Sequence, residues 1–396
     1  MLEKWHQEVE HVYPQMVAWR RYLHEHPELP FHEENTSRMV GDILAGYGIE
    51  VERNVGGFGV VGILKGANPG PTIALRADMD ALPIQEENEI PYKSKVPNVM
   101  HACGHDAHTA TLLGVAKILS KYRDAINGTV KFIFQPAEEE APGGAIRMIA
   151  DGVLEGVDVI FANHVLSSMR LGHFTVPMGS ATASSDYVEI KIIGKGGHSS
   201  APHSAVNPIV IGAIVIDQIH ILMSQKVDPL QPAVAAITMF NSGVAINVIP
   251  SEATIAGTVR TFSPAQRENV KRYLKNILDH VTVTYGATYE LHYQEGYPAL
   301  LNSEKETEIV REVLNNIGGL EVVESPPIMA SEDFSYYLQH VPGVYFYTGS
   351  STDDPNTQFP HHHPRFNIDE RVMKNSAKAF HIIVYYYLIS KEISSK

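Results

Sequence analysis

The chain is 396 residues long, 44% hydrophobic and 19% charged, with a formal net charge of −14. That balance belongs to a folded soluble protein and excludes a disordered one, and so acidic a chain lacks the basic footprint by which nucleic acids and anionic membranes are bound. The length exceeds what a single core ordinarily organises, so two domains are expected.

Residues 1–10 are charged and carry no apolar signal core. Unbroken apolar runs, such as 209–216 and 233–237, are too short to span a bilayer. With one cysteine in the whole chain, these features lead to the expectation of a reducing, cytoplasmic setting and no membrane partner.

Residues 37–46 have a helical pattern, and 60–64 and 72–77 read as strands. Ala107, Ala110, Leu113, Ala116 and Leu119 recur at helical spacing over 107–122, and buried strands follow at 129–135 and 157–162. This alternation predicts an α/β domain with a mainly parallel sheet. From Ser184 the pattern changes to strand 187–193, apolar helix 206–223, strands 233–240 and 254–261, helix 264–285 and strand 288–293. The β-α-β-β-α-β order is that of a ferredoxin-like α+β unit, here inserted. The α/β pattern resumes after Gly296 with helix 303–317, strand 344–347 and helix 370–391. The predicted domains are therefore 1–183 with 295–396, interrupted by 184–294.

Candidate chemistry gathers at predicted strand ends, where ligands bind in open α/β sheets. Strand 72–77 runs into Asp78-Met79-Asp80, strand 129–135 into Glu138-Glu139-Glu140, and strand 157–162 into Asn163-His164. Between them, Met100-His101-Ala102-Cys103-Gly104-His105-Asp106 holds the only cysteine. A thiolate between imidazoles suits a metal, and the start of helix 107–122 is expected to help keep it ionised. Read alone, the heptapeptide is equally a filler cysteine beside unrelated histidines, and the glutamate run a solvated acidic stretch.

These blocks, together with Arg20-Arg21-Tyr22-Leu23-His24, Gly194-Lys195-Gly196-Gly197-His198, Asn247-Val248-Ile249-Pro250, Gly257-Thr258-Val259-Arg260, Ser331-Glu332-Asp333-Phe334 and His362-His363-Pro364-Arg365-Phe366, make the chain resemble a family of co-catalytic metallo-amidohydrolases. That family includes aminoacylases, hippurate hydrolases, indole-acetyl-amino-acid hydrolases and N-acetyl-diaminopimelate deacetylases. The resemblance covers essentially the whole chain. It implies a metal-binding catalytic domain with an inserted lid and dimerisation domain, and a homodimer paired through the inserted sheet edge and the apolar helix 206–223.

The resemblance further implies that Cys103, His105, Glu139, His164 and His362 hold two divalent ions, manganese or zinc, with cobalt or nickel as further options. Glu138 would be the general acid/base, and Asp80 would orient a ligand imidazole, unless it is a plain turn aspartate. His198 would stabilise the oxyanion, unless it is a turn histidine. Arg260 and Asn247 would hold the substrate carboxylate, although Arg260 could equally pair with one of the chain's many carboxylates. His361 is the competing choice to His362, and His101 and His108 are expected to be supporting residues. The implied reaction is hydrolysis of the amide of a small N-acyl amino acid by water activated at the two ions. A dipeptidase or carboxypeptidase with the same chemistry is the alternative. A cysteine hydrolase using Cys103 and His105 would leave Glu139, His164 and His362 without a role, and a non-catalytic binding protein would be expected to have lost one of them. Tyr345, Tyr347 and Phe366 are aromatic candidates for an acyl pocket, with buried core the stronger expectation.

Overall fold

The computed structural model describes residues 1–390. Residues 391–396, which close the predicted helix 370–391 and the first domain, lie outside the described residues. The chain forms two compact units: Met1–Ala181, Leu301–Pro326 and Asp333 onward make the first, and Thr182–Leu300 with Pro327–Glu332 the second. Its α-helices are α1 (Leu2–Glu25), α2 (Glu34–Gly46), α3 (His105–Lys121), α4 (Gly144–Ala150), α5 (Pro208–Gln225), α6 (Pro264–Thr284), α7 (Glu304–Asn315) and α8 (Val372–Leu388).

The first unit is built on a sheet whose early strands are β1 (Glu50–Val55), β2 (Gly59–Lys65), β3 (Asn68–Asp78), β4 (Asn127–Gln135), β5 (Val159–Arg170) and β6 (His173–Thr175). The order across it is β1-β2-β4-β3-β5, then Gly343–Ser351, β6 and Glu321–Val322. The centre, β4-β3-β5 and Gly343–Ser351, is parallel, while β1 and β2 add antiparallel strands at one side. Parallel strands are covered on both faces, and the last six residues of β3 are accordingly all buried. α3 is buried almost all round, as an apolar helix in a core must be.

α1 was not anticipated from the sequence, because charged residues dominate its opening. Trp5, Val9, Val12, Met16, Trp19 and Leu23 are its buried stripe, spaced by three or four residues. β5 also departs from expectation: the predicted strand stops at 162, whereas the structure continues it to Arg170. Pairing of Phe346, Tyr347 and Thr348 with Asn163, His164 and Val165 carries the ladder through, so His164 lies within the strand.

His381 of α8 is fully buried, and neither ring nitrogen has a hydrogen-bond partner. Its ring centroid lies 5.7 Å from Trp5 and 6.5 Å from His6. Burial, with a smaller contribution from His6, pushes its pKa well down. Burial likewise takes His6 down to about 4. A histidine whose folded pKa lies below its unfolded value supports the fold fully only above about pH 6.5 and loses that support as pH falls. Proton linkage predicts a measurable loss of stability on going from pH 7 to pH 5. Calorimetry at the two pH values should therefore show a smaller pH-dependent loss in His381→Phe than in wild type. Equal losses would contradict the assignment.

In the second unit, four antiparallel strands run in the order Ala233–Ser242, Glu252–Thr261, Asp186–Ile193, Thr288–Glu295, which is the ferredoxin-like arrangement. α5 and α6 pack on this sheet through Ile211, Val215, Ile219, Val270, Leu274 and Leu278. Ser263 caps α6 by accepting from Gln266 N–H, with Pro264 at its first turn. The unbroken apolar runs of α5 are short, and its Ile211, Val215 and Ile219 are buried against the sheet. Only single or paired polar positions interrupt its 18 residues, so by length and composition it is apolar enough to cross a membrane.

Candidate metal and catalytic centre

β3 delivers Asp78 at its last position, and Asp80 follows; both are buried. His105 opens α3 and donates its Nδ1–H to the Asp80 carbonyl at 2.9 Å and to Asp80 Oδ1 at 3.2 Å. The second carboxylate oxygen of Asp80 accepts the Glu139 backbone N–H at 2.9 Å. One aspartate thus fixes both an imidazole and the glutamate loop beyond β4. Gly104, before α3, has φ +94°, and a Cβ there would sit 2.4 Å from Val165 Cγ2. Only glycine allows the cysteine–histidine loop to approach β5 this closely.

From β5, His164 donates Nδ1–H to the Val165 carbonyl at 2.6 Å, leaving Nε2 to face Cys103 Sγ at 3.4 Å. His108 uses both nitrogens elsewhere. Its Nδ1–H bonds Asp78 at 2.6 Å and its Nε2 accepts Val165 N–H at 2.9 Å, so it supports the site and has no lone pair to offer. His101 is buried with neither ring nitrogen hydrogen-bonded.

Cys103, His105 and Glu139 place their donor atoms within 4.8 Å of one another. Cys103, His164 and His361 form a second such group. His361 and His362 reach the cluster from different sides: His361 Nδ1 is 3.7 Å from Cys103 Sγ, and His362 Nε2 is 3.2 Å from Glu139 Oε1. His361 Nε2 accepts Ser167 N–H at 3.2 Å, so its proton is on Nδ1, facing sulfur. His362 takes a left-handed backbone, φ +65°, held by its N–H to the Ala102 carbonyl at 2.8 Å.

The donor set fits divalent cations. His105 Nε2 and Glu139 Oε1 are buried 3.9 Å apart and make no hydrogen bond, and the same Glu139 oxygen lies 3.2 Å from His362 Nε2 as an ion-pair contact. Burial opposes a charge on His105, yet Asp78, Asp80 and Glu139 lift its pKa to about 10, so the surrounding carboxylates call for positive charge at this point. Burial, with His108 and His361, drives His164 well down, leaving a neutral imidazole able to donate a lone pair.

The expectation that the start of α3 keeps Cys103 ionised is reversed. Burial, and then the charges of Glu139, Glu138 and Asp78, push the thiol well up. Three nearby carboxylates outweigh one helix terminus, and a cation would invert the balance. This also weakens Cys103 as a free nucleophile. Glu138 is buried beside Glu139. Tyr345, Tyr347 and Phe366 are buried core residues.

His198, Asn247 and Arg260 belong to the second unit. His198 is exposed on the two-stranded ribbon pairing Gly197–His198 with Val248–Ile249, and its Nδ1 accepts Ser200 N–H at 3.2 Å. It lines an open cleft of about 810 Å³ together with Asn247. Arg260, half-buried on Glu252–Thr261, is not part of that lining. The sequence reading gave no role to Asp78, although the alternation Arg76, Asp78, Asp80 along one strand end marks a charged face.

Residues 74–385 match the family described as peptidase family M20/M25/M40. The chain is 46% identical over 295 residues to an N-acyl-L-amino acid amidohydrolase of Geobacillus stearothermophilus, covering 74% of this chain and 80% of that one. It is 42% identical over 382 residues to thermostable carboxypeptidase 1 of Saccharolobus solfataricus, covering 96% and 97%. Among solved structures, the YXEP protein of Bacillus subtilis, described as a dinuclear metal-binding peptidase of the M20 family, superimposes with a TM-score of 0.84 at 34% identity, covering 95% of this chain and 98% of that one.

Proposed function

The chain belongs to peptidase family M20/M25/M40 and is a metal-dependent amidohydrolase, and from that premise we propose that it cleaves the amide bond of small N-acyl amino acids. The observation that carries this reading is the convergence of the Cys103 thiol, the His164 Nε2 that faces it, the unbonded Nε2 of His105, and the Glu139 oxygen that meets His362 Nε2. We assign Cys103, His105, Glu139, His164 and His362 as ligands of two divalent ions. His362 is preferred over His361 because the Nδ1 of His361 carries its proton. The thiolate favours zinc, while the imidazoles and carboxylate also suit manganese, cobalt or nickel. Ions bound there supply Lewis acidity, which polarises a carbonyl and acidifies water.

Glu138 takes one proton from the attacking water as the new C–O bond forms. It then delivers that proton to the nitrogen as the C–N bond breaks, giving a carboxylic acid and a free amino acid. Asp80 fixes the tautomer and orientation of His105. In the second unit, His198 is assigned to donate to the oxyanion, and Asn247 and Arg260 to hold the substrate carboxylate, for which a guanidinium is well shaped. We also propose a homodimer through that unit. Its support is the exposure of Val234, Met239 and Phe240 on the edge strand, and of Ile209, Val210 and Ile221 on α5. A cytoplasmic location goes with this reading.

Identity to a carboxypeptidase favours one second reading, a carboxypeptidase or dipeptidase. Assays of N-acetyl-L-methionine, hippurate and an unblocked dipeptide, before and after chelation and with manganese or zinc restored, separate the two. The expected result is metal-restored hydrolysis of the acylated substrates at least tenfold faster than of the dipeptide. The reverse order would replace the first reading by the second.

A further inference from the structure

Glu33 stands at the start of α2 and its carboxyl is completely buried, yet the reaction as described gives it no part. Its Oε1 accepts the backbone N–H of Ala137 at 2.7 Å, while its Oε2 has no hydrogen-bond partner. Ala137 has φ +51°, a left-handed conformation that a residue with a Cβ adopts only when its surroundings impose it. The next two residues are Glu138 and Glu139. The N–H of Ala137 is held by Glu33, and the N–H of Glu139 by Asp80 at 2.9 Å. Glu138 therefore sits between two amides, each fixed by a buried carboxyl.

The mount is rigid. The Glu33 carbonyl accepts Ser37 N–H at 2.8 Å within α2. Glu28 satisfies the Asn35 and Thr36 N–H groups of the same first turn at 3.1 and 2.8 Å.

We propose that Glu33 is a positioning residue for the amide hydrolysis. From the start of α2 it holds Ala137 in the left-handed turn that presents Glu138 as proton carrier and Glu139 as ligand. The proposal rests on the roles assigned above to those two glutamates. Glutamine can accept the same N–H and fills the same space, whereas alanine leaves the Ala137 N–H without a partner and the turn without its clamp. Burial, and then the charge of Asp80, push the Glu33 carboxyl up to about 8. A neutral amide therefore imitates its form at neutral pH.

The test compares wild type, Glu33→Ala and Glu33→Gln as full-length holoenzymes on N-acetyl-L-methionine. In parallel, each metal-free protein is titrated with cobalt(II) and followed by its visible absorption. The expected result is at least a tenfold drop in kcat for Glu33→Ala with KM within threefold, and at least fivefold weaker cobalt binding, while Glu33→Gln stays within threefold of wild type in both. Wild-type-like behaviour of Glu33→Ala, a change in only one of the two readouts, or an equal loss in Glu33→Gln would each overturn the proposal. If Glu33→Ala does not fold, Glu33→Gln decides alone, since a tenfold loss there contradicts the clamp. Inactive wild type would overturn the functional reading instead, and the cobalt titration would still decide the part played by Glu33.

Discussion

Glu138→Gln is expected to lower kcat by about 10²–10⁴-fold, the range over which a positioned proton carrier acts, while leaving the metal content unchanged. The amide keeps the size of the buried Glu138 side chain but can neither take a proton from water nor return one to nitrogen. Because Glu139 is held separately, through its own N–H to Asp80, losing the charge on Glu138 should not release the ligand. Steady-state kinetics and metal analysis on the same preparation give the answer. A loss smaller than tenfold would remove Glu138 from its role, and a parallel loss of metal would make it a ligand.

Cys103 offers the second large effect. Cys103→Ala is expected to lose bound metal and to lower activity by about 10³-fold, several kcal/mol of barrier. Cys103→Asp should regain part of both and shift metal preference from zinc toward manganese, since a carboxylate is the harder donor. The comparison separates two chemistries. If sulfur were the nucleophile, aspartate would be as inactive as alanine and chelation would not matter. Burial and the nearby carboxylates push the Cys103 thiol up, which argues against the nucleophile, because the protonated thiol attacks poorly.

What could be read in the sequence was what repeats or clusters locally. The helical spacing of Ala107 to Leu119 and the β-α-β-β-α-β order from Ser184 lead directly to α3 and to the second unit's sheet. α1 escaped because its charged residues mask the three-and-four spacing of Trp5, Val9 and Val12. The end of β5 escaped because it is set by pairing with Gly343–Ser351, almost two hundred residues away in sequence. The ligand candidates came from family motifs, while their tautomers came from single contacts such as His164 Nδ1 to the Val165 carbonyl. His24 is a buried bridge between Asp106 and Glu86, at 2.8 and 3.1 Å, partners that lie 82 and 62 positions away and leave no local sequence signal. Glu33 had no local signal, because its meaning lies in a left-handed alanine 104 positions further on.

His164 sits inside a parallel strand, opposite Tyr347 of the neighbouring strand. Successive side chains of a strand point to opposite faces, so a shift of one residue in pairing would send every side chain to the other side. The imidazole meets Cys103 only in one register of β5. If His164 is a ligand as proposed, the ion it holds is captured during refolding only after β5 has paired in that register, and the rise of the corresponding cobalt absorption would serve as a clock for strand registration.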